Sequence, residues 1–380
     1  MTVVFSILVC LFLAYANGAN DNFKGVATLF GSKTTGYKAA LIYGTAMTFL
    51  GSVVAIVMAR GLLATFSGKG LVPDQILALK SFPISVVLAS AVTVMLATKL
   101  GFPISTTHAL TGALVGAGWM ASSSGVNLSK LSSSFFTPLI VSPVLAIMAA
   151  SFIYPIFRYG RVRLGLKKET CLCVGNEVLA TFPQGTGRDQ ALALYQTEFT
   201  SQPLPTVIIG TTATCQERYS GTVYGIQAKS LLDVVHFLSA GIVSFARGLN
   251  DTPKIAALLL LGGTFSSTIT IISVAVVMAA GGLLNAKKVA ETMSQKVTEM
   301  NEGQGFTANL VTGMIVIFAS KLGLPVSTTH VSCGALFGIG AVTKQARWKT
   351  ITGILLAWVT TLPIAALFGA LLFLALKVII

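Results

Sequence analysis

Long apolar runs separated by short polar segments occupy most of this 380-residue chain. They form two groups, with residues 2–16, 39–59, 81–98, 104–121 and 135–157 in the first and residues 234–246, 255–286, 306–320, 326–342 and 350–376 in the second. Several runs are shorter than a straight membrane span, and some are interrupted by Pro, Gly or polar clusters. The pattern predicts an all-α integral membrane protein of about ten crossings, with some broken or re-entrant helices.

A polar stretch between the two groups predicts a small extramembrane module. It begins with five basic residues, Arg158, Arg161, Arg163, Lys167 and Lys168. Further on, residues 206–215 are rich in Thr, Val and Ile and follow two prolines, which indicates a β-strand. We therefore expect a first transmembrane repeat at residues 1–157, a cytoplasmic linker module at 158–229 and a second transmembrane repeat at 230–380.

The composition excludes an ordinary soluble protein. Hydrophobic residues make up 54% of the chain and charged residues 10%, against about 25% charged in a soluble domain. The net charge of +14 does not indicate a nucleic-acid partner, because the basic residues lie between apolar runs. Their placement follows the positive-inside rule and indicates a lipid bilayer as the partner.

Counting Lys and Arg also predicts the orientation of the halves. If each half crosses five times and the N-terminus is outside, inside loops hold 16 basic residues and outside loops hold 8, with Arg247 and Lys254 among the latter. The bias favours this topology. An odd number of crossings places the second half upside down relative to the first, as in the inverted repeats of secondary transporters.

The chain repeats itself in two places. Lys-Leu-Gly-Phe-Pro-Ile-Ser-Thr-Thr-His at residues 99–108 returns as Lys-Leu-Gly-Leu-Pro-Val-Ser-Thr-Thr-His at 321–330. Of the 21 residues from 98 to 118, 13 are identical to those from 320 to 340. Residues 16–24 match residues 246–254 in the same order along the chain, so we infer a duplicated half.

The first duplicated motif places a carboxylate inside an apolar helix. Asn20 and Asp21 end the first apolar run, and Asn250 and Asp251 occupy the same place in the second half. A carboxylate in a bilayer normally faces a partner or a cavity. We expect Gly18 and Gly248 to let the helices open and free carbonyl oxygens, so that these residues bind sodium ions. The alternative is that each Asp caps the following helix.

The second duplicated motif predicts a site for an anion. Pro103 and Pro325 each lie two residues after a Gly and should end the preceding helix, after which a Ser or Thr can cap the next one. A helix N-terminus with free N–H groups and hydroxyls binds phosphate well. If the halves are inverted, one tetrahedral anion could receive donors from both copies: Ser105, Thr106, Thr107, Ser327, Thr328 and Thr329. Ordinary capped helices or small-residue packing faces are the alternatives.

Five further residues are weaker candidates. His108 and His330 follow the hydroxyl runs and could donate to an anion or carry protons. Lys24 and Lys254 lie three residues after each Asp, where they could neutralise it or extend to the membrane surface. Asp233 is a further candidate cation ligand. Motifs for covalent catalysis or nucleotide binding are lacking in the sequence, so an enzyme is not expected.

An anion site beside two carboxylates needs cations. The carboxylates would repel phosphate or sulfate strongly in a low-dielectric site, and sodium ions held by the Asn-Asp pairs would offset that repulsion. Each ligand would then bind better in the presence of the other, which is the basis of coupled symport. Protons are the alternative coupling ion, and no further cofactor is expected.

Together, Gly-Ala-Asn-Asp at 18–21, Gly-Leu-Asn-Asp at 248–251 and the duplicated Pro-x-Ser-Thr-Thr-His resemble the inorganic phosphate transporter (PiT) family. The resemblance covers both halves and departs from the usual pattern at Leu249 and at residues 252–253. It implies an inverted-repeat fold that moves orthophosphate with sodium or protons. It also implies that Asp21 and Asp251 are the essential acids and that the Ser-Thr-Thr runs contact phosphate.

The sequence thus predicts a sodium-coupled phosphate importer that works by alternating access in the plasma or inner membrane. A proton-coupled phosphate or sulfate permease and an anion channel are the alternatives. Whether two copies form a homodimer is left open.

Overall fold

The computed structural model describes residues 2–122, 125–177, 206–211, 213–214, 219–260 and 266–379. Part of the predicted linker module, residues 178–205, lies outside the described residues, as does Cys215 in the predicted strand. The chain divides into two compact units, residues 1–155 with 236–380 and residues 156–235. The predicted boundaries of the two repeats and the linker stay a prediction.

Helices account for most of the described chain. They are α1 (Thr2–Asp21), α2 (Ala27–Gly31), α3 (Tyr37–Met58), α4 (Arg60–Phe66), α5 (Asp74–Leu77), α6 (Ser81–Leu100), α7 (Thr106–Ala121), α8 (Leu128–Leu131), α9 (Thr137–Arg163), α10 (Ala228–Leu260), α11 (Ser267–Asn285), α12 (Lys287–Glu291), α13 (Glu302–Lys321), α14 (Thr328–Thr343) and α15 (Trp348–Ile379). Two single π-helical turns, Ser132–Phe136 and Thr292–Lys296, precede α9 and follow α12.

Eight of the described helical segments are long and apolar enough to cross a membrane. Apolar side chains on these helices are exposed, for example Val57 (72%), Phe152 (71%) and Val359 (71%), and an apolar surface of this kind is typical of helices in contact with lipid. The two 16-residue helices α7 and α14 are instead buried along most of their length. The prediction of an all-α membrane protein is confirmed.

Both predicted helix breaks are present, at the same place in each half. α6 ends at Leu100 and Gly101 takes a left-handed conformation with φ 78°, which a residue without a Cβ adopts at little cost. Gly323 does the same after α13, with φ 70°. Ser105 and Ser327 then cap α7 and α14 by accepting the backbone N–H of the residue three positions on.

Gly18 and Gly248 do not open their helices, and the prediction that they would is wrong. Both α1 and α10 remain helical through these positions. A Cβ on Gly18 would overlap the carbonyl oxygen of Met278 in α11, and one on Gly248 would overlap that of Thr48 in α3. These glycines therefore allow each motif helix to pack at close range against a helix of the other half.

The smaller unit contains a three-stranded antiparallel sheet in the order β2-β1-β3. Its strands are β1 (Thr170–Glu177), β2 (Thr206–Thr211) and β3 (Tyr219–Gln227). Leu172 in the central strand pairs with Ile209 on one side and Ile226 on the other. The prediction of a β-containing module is confirmed, although the first basic residues of that segment belong to the end of α9.

Candidate functional site

The two Ser-Thr-Thr turns, one from each half, are in direct contact. The Thr107 hydroxyl donates to the carbonyl oxygen of Val326 (3.3 Å), and the Thr329 hydroxyl donates to that of Ile104 (2.9 Å). Each threonine thus binds the residue that precedes the other turn. All four residues are buried, so the N-termini of α7 and α14 meet inside the protein.

The two carboxylates lie beside these turns. Asp21 accepts hydrogen bonds from the amide of Asn17 (2.9 Å) and the hydroxyl of Thr106 (3.2 Å). Asp251 accepts from the hydroxyl of Thr328 (3.4 Å) and is also within 3.5 Å of the Asn17 amide nitrogen. One amide therefore reaches both carboxylates, which brings the duplicated acids and the duplicated turns into a single cluster.

Lys24 is fully enclosed in this cluster. Its ammonium forms an ion pair with Asp21 and donates to Asn20 Oδ1 (2.8 Å), the carbonyl oxygen of Ile104 (2.8 Å) and the hydroxyl of Thr329 (2.7 Å). It therefore connects the acid of its own half to the turn of the other half. The side chain does not extend to the membrane surface, which was one of its two predicted roles.

Lys254 makes the equivalent contacts in the second half. Its ammonium lies 3.5 Å from Asp251 Oδ1, 2.6 Å from the carbonyl oxygen of Val326 and 2.9 Å from the hydroxyl of Thr107. The three partners are again a carboxylate, a carbonyl before one turn and a threonine in the other turn. The two lysines are thus related by the same duplication that relates the motifs.

The two asparagines of the motifs are fixed by hydroxyls at the ends of α6 and α13. Asn20 donates to Thr98 Oγ1 (2.9 Å), whereas Ser320 donates to Asn250 Oδ1 (3.2 Å). Thr98 and Ser320 occupy equivalent positions in the repeat. The two amides are therefore oriented differently. The Asn20 oxygen faces the cluster, where it accepts from Lys24. The Asn250 oxygen faces Ser320 instead, and its NH2 group donates to Asp251 (3.0 Å) and to the carbonyl oxygen of Val326 (3.2 Å).

The six hydroxyls predicted to bind an anion have hydrogen-bond partners within the protein in this conformation. Those of Ser105 and Ser327 cap α7 and α14 by accepting the N–H groups of His108 (3.1 Å) and His330 (3.2 Å). The four threonines donate to the carboxylates or to the turn carbonyls described above. An incoming anion would therefore replace existing hydrogen bonds of these threonines.

His108 and His330 lie together behind the turns. Their ring centroids are 4.2 Å apart, and the His330 ring stacks on Trp358 of α15 at 3.7 Å. The Trp358 indole N–H donates to the carbonyl oxygen of Pro103 (3.0 Å). The two histidines and the tryptophan thus form a stack of rings that is bonded to the chain just before the first turn.

Asp233 is not brought to the cluster. It lies about five helical turns before Asp251 on α10. Its carboxylate pairs with Lys229 at 2.8 Å, and both side chains are accessible to solvent. A pair of this kind contributes little to stability and has the geometry of an ordinary surface ion pair.

Arg247 belongs to the site, although the count of basic residues assigns it to an outside loop. Its guanidinium is buried and donates to Asn17 Oδ1 (2.6 Å) and Asn22 Oδ1 (3.1 Å). Its Nε lies 3.8 Å from Asp251 Oδ2. A signal was available, because Arg247 lies four residues before Asp251 and therefore on the same helix face.

The positive-inside count also needs correction. Lys24, Arg247 and Lys254 are each at most 3% exposed and cannot be loop charges. Removing them leaves a bias of the same sign, so the predicted topology is unchanged. The charge of the site does change, because these three residues place three formal positive charges beside the two carboxylates.

Residues 17–369 match the model of a family described as the phosphate transporter family. A candidate phosphate permease of Thermococcus kodakarensis is 28% identical over 99% of this chain and 98% of its own length. The chloroplastic inorganic phosphate transporter 2-1 of Arabidopsis thaliana is 27% identical over 95% of this chain and 70% of its own length.

A solved structure shares the fold. The protein, described as the sodium-dependent phosphate transporter, superposes with a TM-score of 0.74 and 21% identity, and the match covers 100% of both chains.

Proposed function

This chain belongs to the phosphate transporter family, as its duplicated motifs predicted, and we propose that it imports inorganic phosphate by alternating access. It is a multi-pass membrane protein of a family of transporters, not of enzymes. The proposal extends this family membership to a substrate site, a direction of transport and a coupling ion.

The contact between the two Ser-Thr-Thr turns carries the proposal. Helix N-termini attract anions through their free N–H groups and the helix dipole. Here α7 and α14 contribute two such ends to one buried place, with the hydroxyls of Thr107 and Thr329 between them. A tetrahedral oxyanion has acceptors on all sides and suits donors that arrive from two directions.

We propose that phosphate binds between these turns and takes over the donors that now serve other groups. The hydroxyls of Thr106 and Thr328, which donate to Asp21 and Asp251, would turn towards the anion. The serines would keep their capping role, with phosphate contacts as a second function of their side chains.

Alternating access would require the two halves to separate at this cluster from one side at a time. The bonds that cross between the halves include those from Thr107 and Thr329, and those from Lys24 to Thr329 and Lys254 to Thr107. Breaking the bonds at Thr107 while keeping those at Thr329, or the reverse, would open the site to one side only. The duplication makes two such sets of bonds available.

Sodium is the first candidate for the coupling ion. The solved relative with the same fold is described as sodium-dependent. The oxygen atoms of Asn20, Asp21, Asn250 and Asp251 are hard ligands of the kind that alkali cations prefer. In this scheme the sodium ions would bind at the two Asn-Asp pairs and offset the charge of the phosphate.

Protons are the second candidate, and one observation favours them. Both Asn-Asp pairs already contact a lysine ammonium, of Lys24 in one half and of Lys254 in the other. A proton carried by a carboxylate or a histidine in the cluster would need no separate cation pocket.

Uptake of labelled phosphate into proteoliposomes tests the proposal. Sodium and proton gradients are imposed separately, each at fixed phosphate concentration. We expect accumulation above the outside concentration with at least one of the gradients. An anion channel would only equilibrate phosphate, and inhibition by excess sulfate at equal ionic strength would identify a sulfate permease. Uptake equal to that of empty liposomes under both gradients would refute phosphate transport.

The membrane in which the protein lies and its assembly stay predictions. We propose that the protein lies in the plasma or inner membrane. Determining its mass in detergent would show whether it forms a homodimer. The linker is proposed to be cytoplasmic, which a cysteine-accessibility assay on intact cells can check.

A further inference from the structure

The two buried lysines fill pockets that are lined with oxygen. Around the Lys24 ammonium the structure places four oxygen atoms, those of Asp21, Asn20, Ile104 and Thr329, three of them at 2.7–2.8 Å. An ammonium has three protons, so every one of its donors is satisfied. Its partners are a carboxylate, an amide oxygen, a carbonyl oxygen and a hydroxyl.

The pocket in the second half repeats three of these four kinds of partner, whereas the Asn250 oxygen accepts from Ser320 instead. Lys254 contacts the carbonyl oxygen of Val326 at 2.6 Å, the hydroxyl of Thr107 at 2.9 Å and the carboxylate of Asp251 at 3.5 Å. A chance burial of one lysine would not return with equivalent partners in the other half. The duplication therefore carries the pockets and their lysines together.

Oxygen shells of this composition are those that bind hard metal cations. Two of the four atoms around Lys24 belong to Asn20 and Asp21, the residues expected to bind sodium. A sodium ion bound to the same oxygens would lie within a few ångströms of the ammonium, where two positive charges repel strongly in a medium of low dielectric constant. The pocket therefore does not fit a sodium ion while the lysine is in it.

The formal charges in the cluster also argue against bound sodium ions. Lys24, Arg247 and Lys254 outnumber Asp21 and Asp251 by one positive charge. A singly charged phosphate would bring the cluster to neutrality, whereas two added sodium ions would leave it strongly positive. Burying net charge in a membrane is costly, so the site is balanced for an anion without metal cations.

We propose that Lys24 and Lys254 act as tethered cations that take the place of two coupling sodium ions at the Asn-Asp pairs. The inference rests on the proposed phosphate transport and specifies its coupling. A cation attached to the chain does not cross the membrane, so the sodium gradient supplies no energy through these two positions. Phosphate movement then depends on its own gradient or on protons.

Labelled-phosphate uptake with sodium replaced by choline at fixed pH gives the first test. We expect the initial rate of the wild-type protein to change less than about twofold, whereas cooperative binding of sodium would change it by at least about fivefold. Calorimetric titration of the detergent-solubilised protein with inorganic phosphate gives a second measurement. The dissociation constant of phosphate should be the same in sodium and in choline.

Substitution of Lys24 by two neutral side chains separates the roles of charge and space. Lys24→Asn leaves an oxygen ligand and an empty pocket, so sodium-free uptake should fall at least about tenfold and added sodium should restore most of it. Lys24→Met fills the pocket without charge or ligand, and sodium should not rescue it. Lys38→Asn, an exposed lysine on α3, is the matched control and should behave like the wild type.

The outcomes separate the two proposals. Wild-type uptake and phosphate binding that both require sodium would overturn the role of the lysines and leave phosphate transport standing. Lys24→Asn protein that elutes as the wild type does but gains no sodium dependence would also overturn it. A wild-type protein that takes up no phosphate under either gradient would overturn the proposed function itself.

Discussion

The two halves of the site carry the same motif but do not use it identically. In the first half α1 ends at Asp21 and the chain turns before α2, whereas α10 continues through Asp251 to Leu260. Gly25 follows in the first half where the second has Ile255, and glycine is a poor helix former. The same acid is thus at a helix end in one half and inside a helix in the other.

The second difference concerns charge. Position 17 is Asn in the first half, and its counterpart in the second half is Arg247. Asp21 therefore pairs with one lysine, whereas Asp251 lies within 4 Å of both a lysine and an arginine. The duplication gives each half one lysine and one acid. The extra positive charge of the cluster comes from Arg247, which has no charged counterpart in the first half.

Removing one acid should have the largest effect on this balance. Asp21→Asn leaves the Lys24 ammonium buried without its counterion, which costs about 3–5 kcal/mol in folding stability. We expect phosphate uptake to be lost and the unfolding temperature in detergent to fall. Asp251→Asn should also abolish uptake, because it leaves two cations without a carboxylate.

The double variant Asp21→Asn with Lys24→Met is the matched control. It removes both charges, so most of the lost stability should return while uptake stays absent. If the single variant unfolded at the wild-type temperature, Asp21 and Lys24 would not form a buried charge pair.

Making the second half resemble the first should have the next largest effect. Arg247→Asn gives both halves Asn at this position and removes the extra positive charge near Asp251. We expect phosphate affinity to fall about tenfold or more, since a charged partner contributes about 1.5–3 kcal/mol. Calorimetric titration with phosphate measures this. An affinity equal to that of the wild type would show that Arg247 only supports the fold.

The two turn threonines test whether the halves contribute equally to the anion. Thr107→Val and Thr329→Val each remove one hydroxyl donor at nearly constant volume, at a cost of about 1–3 kcal/mol in phosphate binding. We expect similar losses for both variants, measured as dissociation constants. A loss confined to one variant would mean that phosphate binds one turn and not between the two.

The smallest effect is expected at the helix caps. Ser105→Ala and Ser327→Ala each remove an N-cap and should lower folding stability by about 1 kcal/mol. Because the two caps have nearly the same geometry, the two shifts in unfolding temperature should be alike. A much larger decrease in uptake than in stability would indicate that the serines also contact the substrate.

Much of the fold was predictable because its signals are local in the chain. Apolar runs indicate membrane helices. The break before each Ser-Thr-Thr follows from a left-handed glycine, a proline and a capping serine within a few residues. The roles of Gly18 and Gly248 were not predictable in this way, because what lies against a glycine depends on a helix from the other half of the chain.

The amino-acid sequence was enough to identify a duplicated membrane protein with two acid motifs and two hydroxyl turns. It also determined where the helices break, since those choices are made by neighbouring residues. The contacts of Lys24 with Thr329 and of Lys254 with Thr107, and the burial of Arg247 beside them, became visible in three dimensions alone. A buried charge is stabilised by whichever oxygen atoms folding brings around it, and at least half of those around each of these three cations come from distant parts of the chain.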